Sequence, residues 1–307
     1  MAFSAADVKK LREMTGVGMM DCKKALSEAD GDFDKAIEWL REKGMAAAQK
    51  KAGKVAAEGV SFAVVGDDGV GVLVEVNSQT DFVAKNDIFQ GFVNDVAAVI
   101  AKENPADVEA LKACTYPGTD RTVTDVTNDK VLSIGENIQI RRFVRYDTGV
   151  NVGYIHAGGK VGVLVNMEVE GIEPAAVTEL GKDVAMQICA MNPTYRDKSD
   201  VTQEVLDKEK EIQLAQMDND PKMAGKPQQV KEKIVLGKMG KFYEENCLLQ
   251  MEFVKEKGVS VEQYVSRTAK ELGGTVKVTK FTRFATGEGI EKVVSDLAAA
   301  VAAMVKN

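Results

Sequence analysis

Histidine occurs once in this 307-residue chain, at His156, and tryptophan once, at Trp39. The lone histidine has no cysteine or serine near it in sequence, so a nucleophilic dyad would have to be assembled entirely by the fold. A single histidine on a strand is more often structural. Cysteine is scarce too: Cys22, Cys114, Cys189 and Cys247 lie far apart with no C-x-x-C pair. That spacing suggests neither a zinc site nor a disulfide framework and leaves four free thiols suited to a reducing cytosol. No run of 18 apolar residues is available to span a bilayer, and the opening Met-Ala-Phe-Ser-Ala-Ala-Asp lacks the basic and apolar regions of a signal peptide. A cytoplasmic protein is expected. There is no basic excess either. Forty Lys and Arg face 47 Asp and Glu, a net charge of -7, which argues against broad phosphate-backbone binding and favours a protein partner.

Phosphate-binding loops are also missing. Thr15-Gly16-Val17-Gly18 and Gly158-Gly159-Lys160 are glycine-rich, but neither forms G-x-x-x-x-G-K-[ST] or a G-x-G-x-x-G that opens a helix after a strand. They read as turns, and no resident nucleotide, metal or other cofactor is expected.

What is present is the material of a folded chain: 45% hydrophobic residues, 28% charged residues and only six prolines. The length suits two or three units with connectors. Ser4 and Asp7 make a capping-box-like start, with Val8, Leu11 and Met14 at helical spacing behind it. Met19, Cys22, Ala25, Leu26 and Ala29 form a second stripe, and Phe33, Ala36, Ile37 and Leu40 a third that runs to Gly44. Three short helices sharing one core are expected, followed by a basic, alanine-rich connector; together these make a unit over residues 1–54.

The middle of the chain carries a weak duplication. Gly71-Val-Leu-Val-Glu-Val76 leads through Phe89, Val93, Val96 and Ile100 to Asn104-Pro105. Gly162-Val-Leu-Val-Asn-Met167 leads through Val177, Leu180, Val184 and Ile188 to Asn192-Pro193. Each copy follows another strand and a glycine turn. The expected fold class is α+β: a three-helix N-terminal bundle, a duplicated α+β core with antiparallel sheets, an inserted helical hairpin and a C-terminal helical module. The expected core subdomains are 55–143 and 144–198 continued by 244–285. Cys114 to Lys130, rich in Thr, Asp, Gly and Asn, reads as an exposed insertion rather than core. Residues 199–243 read as a protruding antiparallel hairpin, with Val201, Val205, Lys208 and Ile212 on one arm and Val230, Ile234 and Val235 on the other. A strand from Thr275 to Phe284 returns to the sheet. The last unit, 286–307, carries a helix with Ile290, Val294, Leu297, Val301 and Met304 on one face.

Asp81 and Phe82 sit in Thr80-Asp-Phe-Val-Ala-Lys-Asn86, a short corner between a buried strand and a helix that restarts at Asp87, where Gln90 is placed to complete a box-like cap. Phe82 lies one heptad before Phe89, so periodicity leaves open whether it packs beneath that helix or faces outward. Met20, whose helical neighbours Lys24 and Ser27 are polar, and Trp39, aligned with Lys35 and Lys43, read as exposed members of a docking face.

These stretches resemble the elongation factor Ts family of bacteria over nearly the whole chain. The run from Val8 through Met14-Thr-Gly-Val-Gly-Met-Met-Asp-Cys22 to Leu26 is similar to the family's N-terminal signature, which implies a ubiquitin-associated-type three-helix domain that docks on a GTPase. Val76-Asn-Ser-Gln-Thr-Asp-Phe-Val-Ala-Lys85 is similar to the second signature. Ile134-Gly-Glu-Asn-Ile138 and Tyr154-Ile-His-Ala-Gly-Gly-Lys-Val-Gly-Val-Leu164 recur in the family's order, with His156 on its histidine. The resemblance implies a guanine-nucleotide exchange factor, not an enzyme, whose partner is elongation factor Tu and whose hairpin is a coiled coil. By the same resemblance, Thr80, Asp81, Phe82 and Val83 disturb the partner's magnesium site, and Leu11, Arg12, Met19, Met20, His156, Gly158 and Gly159 make further partner contacts. Nucleotide and magnesium belong to the partner; direct nucleic-acid and membrane contacts are not expected. Two other classes stand beside this one. A ubiquitin-associated-type adaptor explains only the first unit, and a cysteine hydrolase pairing a thiol with His156 requires a depressed thiol pKa.

Overall fold

A computed structural model describes residues 3–223 and 225–291. Helices α1 (Ala5–Thr15), α2 (Met19–Glu28) and α3 (Phe33–Lys51) come first. The Ser4 side chain accepts from the Asp7 N–H while the Asp7 carboxylate accepts from the Ser4 N–H, so two otherwise orphaned donors of α1 are satisfied as the sequence suggests. Val8, Leu11, Val17, Cys22, Ala25, Leu26, Ala36 and Leu40 fill the shared core. Met14 and Met19 depart from the expected stripes: they are 56% and 41% exposed, because each lies at a helix end beyond the turn that faces the bundle. Trp39 is only half-buried rather than exposed; it packs against the core with Lys24 and Lys43 over its ring. Gly44 does not end α3. It lies inside the helix, where a Cβ would stand 3.3–3.4 Å from Asp129 and the Asn128 backbone, so its missing side chain lets a second helix cross closely.

That second helix corrects the reading of Cys114 to Lys130 as an exposed insertion. Tyr116 is buried, and α7 (Val123–Ile134) inserts Val123, Val126 and Val131 into the first sheet's core. Its polar residues serve as caps and ties: Thr122 and Asp125 form a capping box, Arg41 of α3 reaches Asp125 at 3.2 Å, and Asp129 pairs with Arg121. Between the first sheet strands and α7 come α4 (Asp81–Ala84), α5 (Asp87–Glu103) and α6 (Val108–Ala113).

Two three-stranded antiparallel sheets follow one plan: β1 (Glu58–Val65), β2 (Gly71–Ser78) and β3 (Gln139–Tyr146), then β4 (Val150–His156), β5 (Val161–Glu170) and β6 (Thr275–Ala285). In each, the middle strand leads to a long helix, α5 or α8 (Thr178–Met191). Each helix ends on an asparagine in the left-handed region, Asn104 at φ 47° and Asn192 at φ 49°, before a proline. The duplication extends to the bulges. The register shifts beside Glu75 in one sheet and beside Asn166 in the other, and the extra residue, Arg141 or Thr279, bonds the polar side chain opposite.

Val72, Val74 and Val76 face the first helical layer while Val163, Val165 and Met167 face the second. Between the sheets, Leu73, Leu164, Ala63, Tyr146 and Phe284 meet. The approach is close and reciprocal: a Cβ on Gly71 would stand 2.9 Å from Leu164 Cδ1, and one on Gly162 2.6 Å from Leu73 Cδ1. The result is helix, sheet, sheet, helix, with the middle strands buried on both faces.

Beyond α8, α9 (Gln203–Asn219) and α10 (Gln228–Asn246) pair in opposite directions, as Lys238 bonding Gln213 and Lys231 pairing with Asp218 require. Their seam is Met217, Lys231, Val235 and Met239. Ile212 and Val230, expected on it, are 43% and 41% exposed; two helices alone bury only a narrow stripe, and these residues fall outside it. Helix α11 (Val261–Glu271) then covers the second sheet with α8. Val294, Leu297, Val301 and Met304 of the expected C-terminal helix lie outside the described residues.

Candidate functional site

Strand β2 is buried along its whole length and ends at Ser78, where the chain must turn out of the sheet. Three anchors hold the turn. The Ser78 hydroxyl donates to the Thr80 carbonyl at 2.9 Å. The Glu136 carboxylate accepts from the Gln79 and Thr80 N–H groups, both at 3.0 Å, and from the Thr80 hydroxyl at 2.7 Å. The Gln79 side-chain carbonyl accepts from the Asn137 N–H at 2.9 Å. Thr80 then caps the single turn α4, its hydroxyl accepting from the Val83 N–H.

On that turn Val83 and Ala84 point into the core, at 9% and 6% exposure. Phe82 points the other way and is 81% exposed. The alternative left open by periodicity is thereby decided in geometry: Asn86 caps a fresh helix through the Ile88 N–H, so the phase of α5 does not carry back to Phe82. Gln90 completes no box there; its side chain donates to the Ala84 carbonyl instead. Asp81 lies beside Phe82, half-exposed, with Lys85 3.1 Å away. Ile88, at the start of α5, is 50% exposed. An exposed phenyl ring beside a carboxylate, on a turn whose backbone is tied down, makes a stiff wedge.

His156 ends β4 on a turn that brings it to the same end of the sheets. The Tyr154 hydroxyl lies 3.0 Å from His156 Nδ1. Ala157, Gly158 and Gly159 all have positive φ, and Gly159 is buried where a Cβ would stand 2.6 Å from Val60 Cγ1. Its carbonyl accepts from the Ser61 N–H and the Thr286 hydroxyl. Lys160 pairs with Glu58, which lies opposite Ser78 in the sheet register. Gly158 and His156 are exposed.

The remaining expected contact residues lie on the bundle. Arg12, Met19 and Met20 are exposed, Met20 at 74%, whereas Leu11 is fully buried and reaches no partner directly. The end of α3 approaches the corner's support: Lys51 donates to the Gly135 carbonyl at 2.6 Å, and Asn137 donates to the Lys54 carbonyl at 2.7 Å. Glu136 and Asn137 fall within the Ile134–Ile138 motif, but no local pattern assigns them a role; the glutamate's partners lie 56 and 57 residues away.

Thiol chemistry finds no support. Burial raises the pKa of Cys22, Cys114, Cys189 and Cys247, the last to about 11, the opposite of an activated nucleophile. Among the described residues no group of three or more His, Cys, Asp or Glu is arranged to hold a metal ion, and no helix is long and apolar enough to cross a membrane.

A family model described as Elongation factor TS matches residues 79–288. The chain is 47% identical over 310 residues to the Elongation factor Ts of Syntrophotalea carbinolica and 46% identical over 308 residues to that of Magnetococcus marinus, each alignment covering all of both chains. It is 49% identical over 308 residues to that of Paramagnetospirillum magneticum, covering 98% of this chain and 96% of the relative.

Proposed function

The chain belongs to the elongation factor Ts family, and from that premise we propose how it acts as the guanine-nucleotide exchange factor of translation elongation. It binds elongation factor Tu in its GDP form, disturbs the magnesium and phosphate contacts there, and lets GDP leave so that GTP rebinds. The observation that carries this reading is Phe82, 81% exposed on a corner whose backbone is anchored on three sides.

Thr80, Asp81, Phe82 and Val83 form the invading element, with Val83 as the buried root and Phe82 as the tip. Magnesium demands near-ideal octahedral geometry, so a small displacement of the partner's ligands weakens nucleotide binding substantially. No acid, base or nucleophile is needed from this chain. By linkage, a factor that binds the empty GTPase more tightly than the GDP form lowers GDP affinity by the same ratio. Residues 1–54 are assigned as a ubiquitin-associated-type docking domain presenting Arg12, Met19 and Met20, with Leu11 acting through the core. His156 and Gly158 give a second contact at the same end of the sheets, while the buried Gly159 acts by shaping the turn that presents them. The hairpin, 199–243, is assigned as a coiled coil, a reading supported by the antiparallel pairing of α9 and α10 around Met217, Val235 and Met239. The core subdomains, 55–143 and 144–198 with 244–285, carry these surfaces in the cytoplasm, and 286–307 is a C-terminal module. The adaptor reading is not favoured, because the family match begins at residue 79, beyond the only unit it explains.

The test is a pair of affinities, for nucleotide-free and for GDP-magnesium-loaded elongation factor Tu, measured by calorimetry. Binding at least tenfold tighter to the empty form is expected. Equal affinities would sink the proposal, since a ligand with no preference between two states shifts neither.

A further inference from the structure

Glu136 stands apart from every residue assigned above. It follows Gly135, the left-handed cap of α7, and is partly buried against the start of the corner. One carboxylate oxygen, Oε2, accepts two backbone N–H groups, from Gln79 and Thr80, each at 3.0 Å; the other, Oε1, accepts the Thr80 hydroxyl at 2.7 Å. Both N–H groups lie just past the end of β2 and have no strand partner, since β2 pairs only as far as Ser78 with β1 and Asn77 with β3. A single side chain that accepts three hydrogen bonds from two consecutive residues fixes both the position and the direction of the segment that donates them.

We propose that Glu136 is the positioning residue of the exchange corner: it fixes the angle at which Asp81 and Phe82 leave the sheet. The inference rests on the exchange reading and deepens it. The flanking residues make the bracket stiff from the other side. Gly135 accepts from Lys51 and Asn137 donates to the Lys54 carbonyl, so the segment 135–137 joins the end of α3 to the corner. The Asn137 N–H also donates to the Gln79 side chain. The bundle that carries the docking surface and the wedge that disturbs the nucleotide site are therefore held in one frame by three consecutive residues.

Removing the carboxylate leaves Val83 and Ala84 packed beneath the turn but releases the segment before it. Thr80 loses the bond that orients its hydroxyl, the same hydroxyl that caps α4 through the Val83 N–H. A freed corner occupies its productive orientation for only part of the time, and the step that requires it slows by that fraction. Docking through the bundle is untouched. The loss therefore falls on the exchange rate at saturating factor and not on the concentration that half-saturates it.

The experiment compares the wild type, Glu136→Ala, Glu136→Gln and Phe82→Ala in fluorescent GDP release from elongation factor Tu, with the Gln79 and Thr80 amides followed by NMR hydrogen exchange. Glu136→Ala is expected to lower the saturating rate about tenfold with a half-saturating concentration within about twofold, and to expose both amides. Glu136→Gln keeps an oxygen for the two N–H groups and an amide facing the Thr80 hydroxyl, and is expected to retain the rate within about threefold. A saturating rate for Glu136→Ala equal to wild type, with both amides exposed, overturns the proposal. So does an equal loss in both Glu136 variants, which would make the charge itself the requirement. If Glu136→Ala fails to fold, Glu136→Asp, whose shorter side chain no longer spans the Gln79 and Thr80 N–H groups and the Thr80 hydroxyl together, takes its place: a lowered saturating rate supports the proposal and a wild-type rate overturns it. Failure of the exchange reading itself is distinct: wild type would then accelerate nothing.

Discussion

Replacing Phe82 with alanine separates function from folding at one position. A phenylalanine buries about 150–250 Å² when fully enclosed, and this ring is 81% exposed in the free chain. Insertion into a partner therefore hides about 160 Å² of apolar surface, worth about 4 kcal/mol at 25 cal/mol per Å². Alanine keeps the Cβ and the partner relaxes around it, so about 2–3 kcal/mol is lost, a factor of about 30 to 150 in the inserted population. The free protein pays almost nothing, because an exposed substitution away from caps and core stays within about 0.5 kcal/mol. Val83 and Ala84 keep the turn rooted. The assay is stopped-flow release of fluorescent GDP over a range of factor concentration, with thermal unfolding by circular dichroism alongside. A fall in exchange efficiency of that size with an unchanged melting temperature is expected. Unimpaired exchange would refute the wedge; a loss of several degrees in melting temperature would mean the ring is core after all.

Two further outcomes concern stability and reactivity. Burial pushes the Glu75 carboxyl up, but the Gly287 N–H together with Arg142, Asn77 and Arg141 holds it below its ordinary value of 4.5. A depressed folded-state value means this carboxylate stabilises fully above its ordinary 4.5 and loses its contribution as pH falls through the folded pKa; Glu75→Gln, which takes the shared carboxylate from two arginines that keep contacts to Glu288 and the Ala285 carbonyl, should cost about 2 kcal/mol in urea unfolding at pH 7 and flatten the acid side of the profile. Cys22 and Cys247, buried with raised pKa, should resist a thiol reagent at pH 7 until the chain unfolds, whereas the partly exposed Cys114 and Cys189 react slowly in the native state; rapid native labelling of Cys247 would contradict that order.

Much of the fold was legible because its signals are local. Ser4 with Asp7, and the paired Gly-Val-Leu-Val strands ending in Asn-Pro helices, each encode their structure within a few residues. Where composition masked periodicity the reading failed: Cys114 to Lys130 is polar enough to resemble a loop, yet the capping box of Thr122 and Asp125 followed by Val126 and Val131 was there to be seen. Phe82 was undecidable for a different reason. Its heptad relation to Phe89 is real in sequence but is cut by the Asn86 cap, and only the three-dimensional turn reveals which side of α4 it occupies. Glu136 and Glu75 lay beyond sequence, since all their partners but Asn77 are 56 to 212 residues distant. The hairpin seam shifted from Ile212 to Met217 because a two-helix contact is too narrow to be phased from scattered apolar residues.

The central claim is that this chain expels GDP by binding, through a wedge held at one corner. It is tested most directly by mixing wild-type protein with elongation factor Tu carrying fluorescent GDP and magnesium and following release by stopped flow. The account predicts a release rate that climbs with factor concentration to a plateau far above the spontaneous rate. A rate that stays at the spontaneous value at saturating protein would contradict it.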